Sequence, residues 1–389
     1  MIYLDNAAST PLNKTVIKEM LPFIKNDFGN PSSVHEIGRR AKIAIHQSRK
    51  KVAKLIGANP NEIFFTSGGT ESNNLVLKGV SEYLKDRKRN EIIISTIEHD
   101  AILETSKYLK KKGFETRFLK VDRDGIVKLN NFKNLLNERT YLVSIMLANN
   151  EVGTIQPISE LAKTTHDYDK NIVFHTDAVQ ALGKIPIDVL DLDVDSLSMS
   201  SHKIYGPKGV GALFIKNSIK INPLIHGGGQ EFSIRSGTEN VYGIVGFGKA
   251  AEISLINLKK NYDNLRYLRD YLIKKILSSI SCTRLNGSYD SRLPNNINFT
   301  FLGVNGEELI IKLDEYGIEA STGSACSTNK QKSSHVLEAM GLNYEEISGS
   351  IRFSLGVQNT KQELDKTIEI LSNVIAELRN TSPLKIKYQ

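Results

Sequence analysis

The chain has 389 residues, of which 40% are apolar and 24% charged, with a formal net charge of +8. That length exceeds one small domain and suffices for a large core plus a second, smaller unit. No run approaches the roughly 20 uninterrupted apolar residues of a membrane-spanning helix, and "MIYLDNAASTPL" lacks the basic and apolar segments of a secretory signal. A cytoplasmic protein with no membrane partner is therefore expected. The basic residues are scattered over helix-like stretches such as "RKKVAKLIG", which describes a solvated surface and argues against direct nucleic-acid binding. Cys282 and Cys326 are the only cysteines, too few for a disulfide framework or an all-cysteine zinc site.

In chain order, short β-branched or aromatic runs alternate with amphipathic ones from about residue 62. "EIFFT" precedes a predicted helix over 70–84, "EIIIST" one over 99–112, and "YLVSIML" one over 158–168; "NIVFH" and "VDSLSMS" follow as strands. This alternation predicts an α/β fold: a large domain, residues 15–260, with a mainly parallel sheet covered by helices on both faces. Such sheets place ligands at the carboxyl ends of their strands. A helical stretch over about 239–280 comes next, then "NNINFTFLG", a helix in "GEELIIKLDEYG", a polar loop over 321–334, and "SIRFSLG" before a last helix. These predict a smaller α+β domain of residues 261–389 together with 1–14.

The motifs sit where that rule says to look. In "FFTSGGTESNN", Gly68, Gly69 and Thr70 lie between a strand and a helix, where backbone N–H groups and the helix start can hold a phosphate. The same string reads equally as a turn and capping box with Thr70 as the cap. Asp177 in "HTDAVQALG" follows a strand and would ordinarily be a cap for what comes next. Lys203 in "SMSSHKIYGPKGVG" lies just beyond a buried strand, beside Ser200 and His202, where partial desolvation makes an amine nucleophilic; the ordinary alternative is an exposed turn lysine. "YGPKGVG" lacks the spacing of a nucleotide phosphate loop.

An anion cradle, a carboxylate and a lysine, each after a different strand of one sheet, are the three things pyridoxal 5'-phosphate requires: a phosphate site, a partner for the pyridine nitrogen, and an amine to condense with the aldehyde. His99 in "TIEHDAIL" also follows a strand, and either caps its helix or stacks on the cofactor and moves a proton. Cys282 reads as a small buried hydrophobe. Cys326, in the small, polar "STGSACSTNKQKSSH", reads as a nucleophile on an exposed loop.

Together "YLDNAAST", "FTSGGTESNN", "EHDAIL", "LANNEVGTIQPI", "HTDAVQALGK", "SSHKIYGPKGVGAL", "HGGGQE", "RSGTEN", "GSACS" and "SIRFSLG" resemble, in order over nearly the whole chain, the cysteine desulfurases of the class V aminotransferase family, whose fold is that of the fold type I pyridoxal-phosphate-dependent transferases. The resemblance implies conversion of L-cysteine to L-alanine with a persulfide on Cys326. Lys203 would carry the cofactor and move protons, Asp177 would bond the pyridine nitrogen, Asn150 and Gln180 would flank the ring, and His99 would stack on it. Gly69, Thr70, Ser200 and His202 would bind the phosphate, with Thr238 supplied by the second subunit of a homodimer. Arg352 would clamp the substrate carboxylate. The resemblance further implies an iron–sulfur scaffold protein or another sulfur acceptor as recipient, including one serving tRNA thiolation, and no metal in the site. The alternatives are a selenocysteine lyase or another β-lyase in which Cys326 is incidental, and a non-catalytic scaffold.

Overall fold

The structure, a computed structural model, describes residues 1–84, 88–322 and 333–381. The chain opens with β1 (Ile2–Tyr3) and then supplies β2 (Ile63–Thr66), β3 (Glu91–Ser95), β4 (Glu115–Leu119), β5 (Thr140–Ser144), β6 (Val173–Asp177), β7 (Ser196–Ser200) and β8 (Gly211–Ile215). Among the described residues these last seven form one sheet in the order β2-β8-β7-β6-β5-β3-β4. β8 runs antiparallel to both its neighbours, and the other pairings are parallel. Reversal at β8 restores the direction at β2, so every strand except β8 points the same way.

The strands read as continuous apolar runs because both sheet faces are covered. Ile93 and Val143 belong to one buried cluster, whereas their chain neighbours Ile92, Ile94 and Leu142 belong to another. Alternate side chains of a strand point to opposite faces, so helices must seal each side. Helices Glu36–Leu55 and Ile158–Tyr168 cover the first face, and helices Gly69–Tyr83 and Asp100–Lys111 the second. The edge strand β4 carries exposed Phe118 beside buried Leu119, a half-solvated pattern that the apolar-run criterion passes over.

After the sheet comes a single helix, Val241–Ser279, followed by β9 (Thr283–Asn286), β10 (Asn296–Phe301), β11 (Ile318–Glu319) and β12 (Ser350–Ser354). β10 pairs antiparallel with β9 and β12, and β1 pairs in parallel with β11. Phe299, Phe301 and Phe353 pack with Leu272, Ile276, Leu371 and Ile375 in a separate cluster that also takes in Ile2 and Leu4. Burial of each such side chain contributes about 1.5–3 kcal/mol. The long helix joins both units: Ile244 and Phe247 belong to the sheet's core, Leu268 and Leu272 to the smaller one. Its length and composition would allow it to cross a membrane, but half of its most apolar stretch is already buried against these two cores. The first helix, Lys14–Lys25, packs Val16 and Met20 into the large core, whereas Ile2 and Leu4 belong to the smaller one and the backbone of Leu4 and Asn6 bonds to Glu319 and Ser354.

Cys282 differs from its expected place as a buried hydrophobe. It is half-buried, with φ of +51° in the turn between the long helix and β9, and its carbonyl accepts the Leu302 N–H at 3.1 Å. The turn, and not the core, dictates its position.

Candidate active site

Because six strands share one direction, the segments leaving the carboxyl ends of β2, β3, β5, β6 and β7 converge. They enclose a cavity of about 360 Å³ lined by Gly69, Thr70, His99, Asn150, Asp177, Gln180, Ser200, His202 and Lys203, with Arg352 from β12. Nearly all the residues singled out in the sequence are thus brought together. Thr238 is exposed and does not line this cavity, and Cys326 lies outside the described residues.

Helix Gly69–Tyr83 begins with Gly68 at its cap position, so Thr70 sits inside the first turn and is not the cap. A Cβ at Gly69 would come within 2.7 Å of Val179 Cγ2, so glycine lets the Val179 side chain lie against the helix start, and Gly69 and Thr70 line the cavity. At Gly211 on β8 a Cβ would meet Gly68 Cα at 2.7 Å, so a second glycine lets the neighbouring strand support the same loop. A helix start with free N–H groups is an anion site.

Asp177 ends β6. Its Oδ1 accepts the Val179 N–H at 2.9 Å, capping a turn rather than a helix, and its Oδ2 accepts from Asn73 Nδ2 at 2.7 Å. Asn73 was not among the residues expected at the site. It lies three residues before Val76 on the same helical face and is fully buried; a polar side chain on an otherwise apolar stripe was the available signal. His99 does cap its helix, Nδ1 accepting from Ala101 N–H at 3.0 Å, and it lines the cavity as well. Capping the helix therefore leaves its ring at the cavity wall.

Lys203 Nζ donates to the carbonyls of Ala7 and Ala8 at 2.6 and 2.7 Å, and Gln180 Nε2 donates to Ala7 O at 3.0 Å. The N-terminal segment thus passes across the mouth of the strand ends. Asp5 on that segment meets Arg352 Nη2 at 2.7 Å, and Arg352 Nη1 donates to Asn150 O at 2.8 Å. Arg352 Nε has no partner, nor has the buried Oε1 of Gln180. Burial, aided by the charges of Lys203, Lys208 and Lys184, pushes the His202 imidazole down to about 4, so it is neutral at physiological pH.

Beneath the cavity, His175 on β6 hydrogen-bonds Ser144 Oγ of β5 at 2.8 Å and Ser198 Oγ of β7 at 3.0 Å. Burial pushes this imidazole down to about 3, which suits a neutral ring donating at one nitrogen and accepting at the other. Three strands that deliver site residues are cross-braced by one side chain. Glu98, beside His99, is wholly buried; Oε1 accepts from Ser95 Oγ at 2.5 Å and from Met146 N–H at 2.9 Å. Burial pushes its carboxyl up to about 8 against the pull of those donors. Helix His335–Ala339 docks here too, His335 Nε2 bonding Glu98 O at 3.0 Å and Ser334 Oγ donating to Glu151 Oε2 at 2.5 Å.

The donor set fits pyridoxal phosphate: a glycine-started helix N-terminus at the cavity, a carboxylate fixed by two donors, an amine at the same cavity, and an unpartnered amide oxygen. The fold and this site define a pyridoxal-phosphate-dependent enzyme of the aminotransferase type. The chain belongs to the family described as Aminotransferase class-V, whose pattern matches residues 2–367. It is 52% identical over 388 residues to "Cysteine desulfurase IscS" of Dictyoglomus turgidum, covering 100% of this chain and 98% of that one. It is 49% identical to a protein of the same name from Clostridium botulinum, over 98% of this chain and 96% of that one. Among solved structures, "NIFS-LIKE PROTEIN" superposes with a TM-score of 0.91 at 41% identity, covering 97% of this chain and 99% of the other. "SspA in complex with cysteine" superposes with a TM-score of 0.80 at 36% identity, over 91% and 99%.

Proposed function

We propose that this cavity removes sulfur from L-cysteine and that Cys326 receives it. The chain is a pyridoxal-5'-phosphate-dependent cysteine desulfurase of the iron–sulfur assembly type. The observation that carries the site assignment is the convergence of Lys203, the Asn73–Asp177 pair and the Gly69 cradle on one cavity.

When bound, pyridoxal phosphate supplies an electron sink that makes the substrate's Cα–H acidic. Gly69, Thr70, Ser200 and His202 would hold its phosphate, with Thr238 supplied by a second copy of the chain. Asp177, oriented by Asn73, would keep the pyridine nitrogen protonated. His99, Asn150 and Gln180 would hold the ring, the last offering its unpartnered Oε1. Arg352 grips the carboxylate of L-cysteine; a planar guanidinium held by Asp5 and the Asn150 carbonyl is a preorganised bidentate donor. Lys203 Nζ takes the α-proton and returns one to the carbon that becomes the alanine methyl group.

The Cys326 thiolate attacks the substrate sulfur, forming an S–S bond as the C–S bond breaks. L-cysteine plus the enzyme thiol thereby yields L-alanine plus the enzyme persulfide, with no external oxidant. That persulfide passes its terminal sulfur by thiol exchange to an iron–sulfur scaffold protein or to an acceptor for tRNA thiolation. The enzyme works as a cytoplasmic homodimer: Phe28, Val34 and Phe232 are 76%, 87% and 60% exposed, large apolar side chains that a second copy would cover. Two domains, residues 15–260 and residues 1–14 with 261–389, meet at the cavity.

Mass spectrometry of the protein after L-cysteine treatment tests this reading. One added sulfur on the peptide containing Cys326 is expected, and Cys326→Ala should stop alanine formation. Alanine release at the wild-type rate from that variant would leave a β-lyase in its place.

A further inference from the structure

Glu151 follows Asn150 in the segment leaving β5, yet it does not line the cavity. Its carboxyl group is buried and accepts from Ser334 Oγ at 2.5 Å. Ser334 is the N-cap of helix His335–Ala339, and the same Oγ accepts the Leu337 N–H at 3.1 Å. One hydroxyl thus joins the helix start to Glu151. The backbone of Glu151 is itself held, its N–H donating to Asn149 Oδ1 at 2.8 Å and its carbonyl accepting from Asn298 Nδ2 at 3.2 Å. Burying a carboxyl group is costly, and burial pushes this one up against the pull of Ser334, His335 and Arg352. Packing alone would be served better by an apolar residue.

The described residues that flank Cys326 are both tied to this neighbourhood. On one side, Ser321 exchanges backbone hydrogen bonds with Arg352, its N–H donating at 3.2 Å and its carbonyl accepting at 2.6 Å. On the other, Ser334 is held by Glu151, whose neighbour Asn150 offers its carbonyl to Arg352. Cys326 stands five residues after Ser321 and eight before Ser334, which limits its distance from them to about 18 and 29 Å. A tether fixed at both ends, and as short as possible, concentrates the group it carries.

We propose that Glu151 is a positioning residue for sulfur transfer: by holding Ser334 it fixes the second end of the tether that carries Cys326, and so raises the frequency with which that thiol meets the substrate sulfur. This rests on the reading of Cys326 as the sulfur acceptor. Other contacts seat the body of the helix. His335 Nε2 bonds Glu98 O, and Val336, Leu337 and Met340 pack with Ile97, Met146 and Val152. Ser333 bonds Glu338 within the same helix. Loss of Glu151 therefore frays the first turn and lengthens the tether without releasing the helix.

Two measurements on the full-length holoenzyme separate this role from a merely structural one. Exchange of the L-alanine Cα proton with D2O requires Lys203 and the bound cofactor but no thiol, whereas persulfide formation from L-cysteine, followed by rapid quenching and peptide mass spectrometry, requires Cys326 as well. Glu151→Ala should leave alanine exchange unchanged and slow persulfide formation about tenfold, the effect of one lost hydrogen bond. Glu151→Gln keeps an acceptor oxygen for Ser334 and should recover most of that rate. In the resting holoenzyme, amide hydrogen exchange over residues 334–340 should quicken about tenfold in Glu151→Ala, a readout that needs no turnover. Persulfide formation at the wild-type rate in Glu151→Ala, or an equal loss in both reactions, would overturn the proposal. Should that variant not fold, Ser334→Ala, which deletes a single oxygen, should show the same selective loss, and its absence there is equally fatal. A wild type that releases alanine with no sulfur on Cys326 would sink the desulfurase reading itself; wild-type persulfide matched by the variants would sink only the role of Glu151.

Discussion

Arg352 and Asp5 meet at 2.7 Å across 347 residues of chain, one on the last strand of the small unit and the other just after the first. The pair joins the two ends of the sequence at the cavity. With Nη1 on the Asn150 carbonyl, it leaves the guanidinium one orientation. Replacing Asp5 with Ala removes a charge-assisted hydrogen bond worth about 1.5–3 kcal/mol in general. KM for L-cysteine should rise about tenfold or more while kcat changes less, the pattern of lost ground-state binding. Steady-state kinetics of Asp5→Ala and Asp5→Asn check this, and a fall in kcat at constant KM would point to some other role for the pair.

Asn73 should matter to cofactor retention. Its amide is the side-chain donor on Asp177, and Asn73→Ala leaves that carboxylate oxygen buried with one partner fewer. Affinity for pyridoxal phosphate should fall about tenfold. Dialysis followed by titration of the visible band measures it, and retention equal to wild type would show that the bond does not orient Asp177.

Glu98 predicts a stability change with pH. Its carboxyl is raised from about 4.5 to about 8 by burial, so below the unfolded value it is neutral in both states and exerts no penalty. As the pH rises toward 8, the unfolded chain releases the proton more readily than the folded one, and stability falls until it levels off above the folded value. Glu98→Gln lacks that titration and should gain on wild type between about pH 5 and pH 8, by an amount on the order of a few kcal/mol. Urea midpoints at the two ends of that window decide it; a constant difference would mean that Glu98 is ionised throughout.

The Arg49–Glu231 pair should be the most sensitive structural point outside the cavity. Arg49 Nη2 and Glu231 Oε1 are 2.7 Å apart and both side chains are buried; Glu231 Oε2 also accepts the Phe65 N–H at 2.8 Å. Removing one partner of a buried pair costs about 3–5 kcal/mol. Glu231→Ala should therefore lower the denaturation midpoint clearly, while the double variant Arg49→Met/Glu231→Leu recovers part of the loss.

Much of this could be read along the chain. Apolar runs with β-branched residues had to become strands, and the amphipathic stretch after each had to cover them, so a mainly parallel sheet with the singled-out residues at its strand ends followed from local chemistry. That Lys203, Asp177, His99 and Gly69 would gather at the strand ends was legible because each stands at a punctuation point between elements. The half-exposed strand β4 escaped, since its side chains alternate between water and core and lack an apolar run.

Other features required the chain to be folded back on itself. That Asn73 bonds Asp177 and that Asp5 restrains Arg352 depend on segments far apart in sequence arriving at one place. Local periodicity reports which face of a helix or strand is buried, because that is set by neighbours three or four residues away. It carries no information on which distant polar group meets a buried one. Those encounters are decided by strand order and by the crossing of the N-terminal segment, and so only the tertiary structure reveals them.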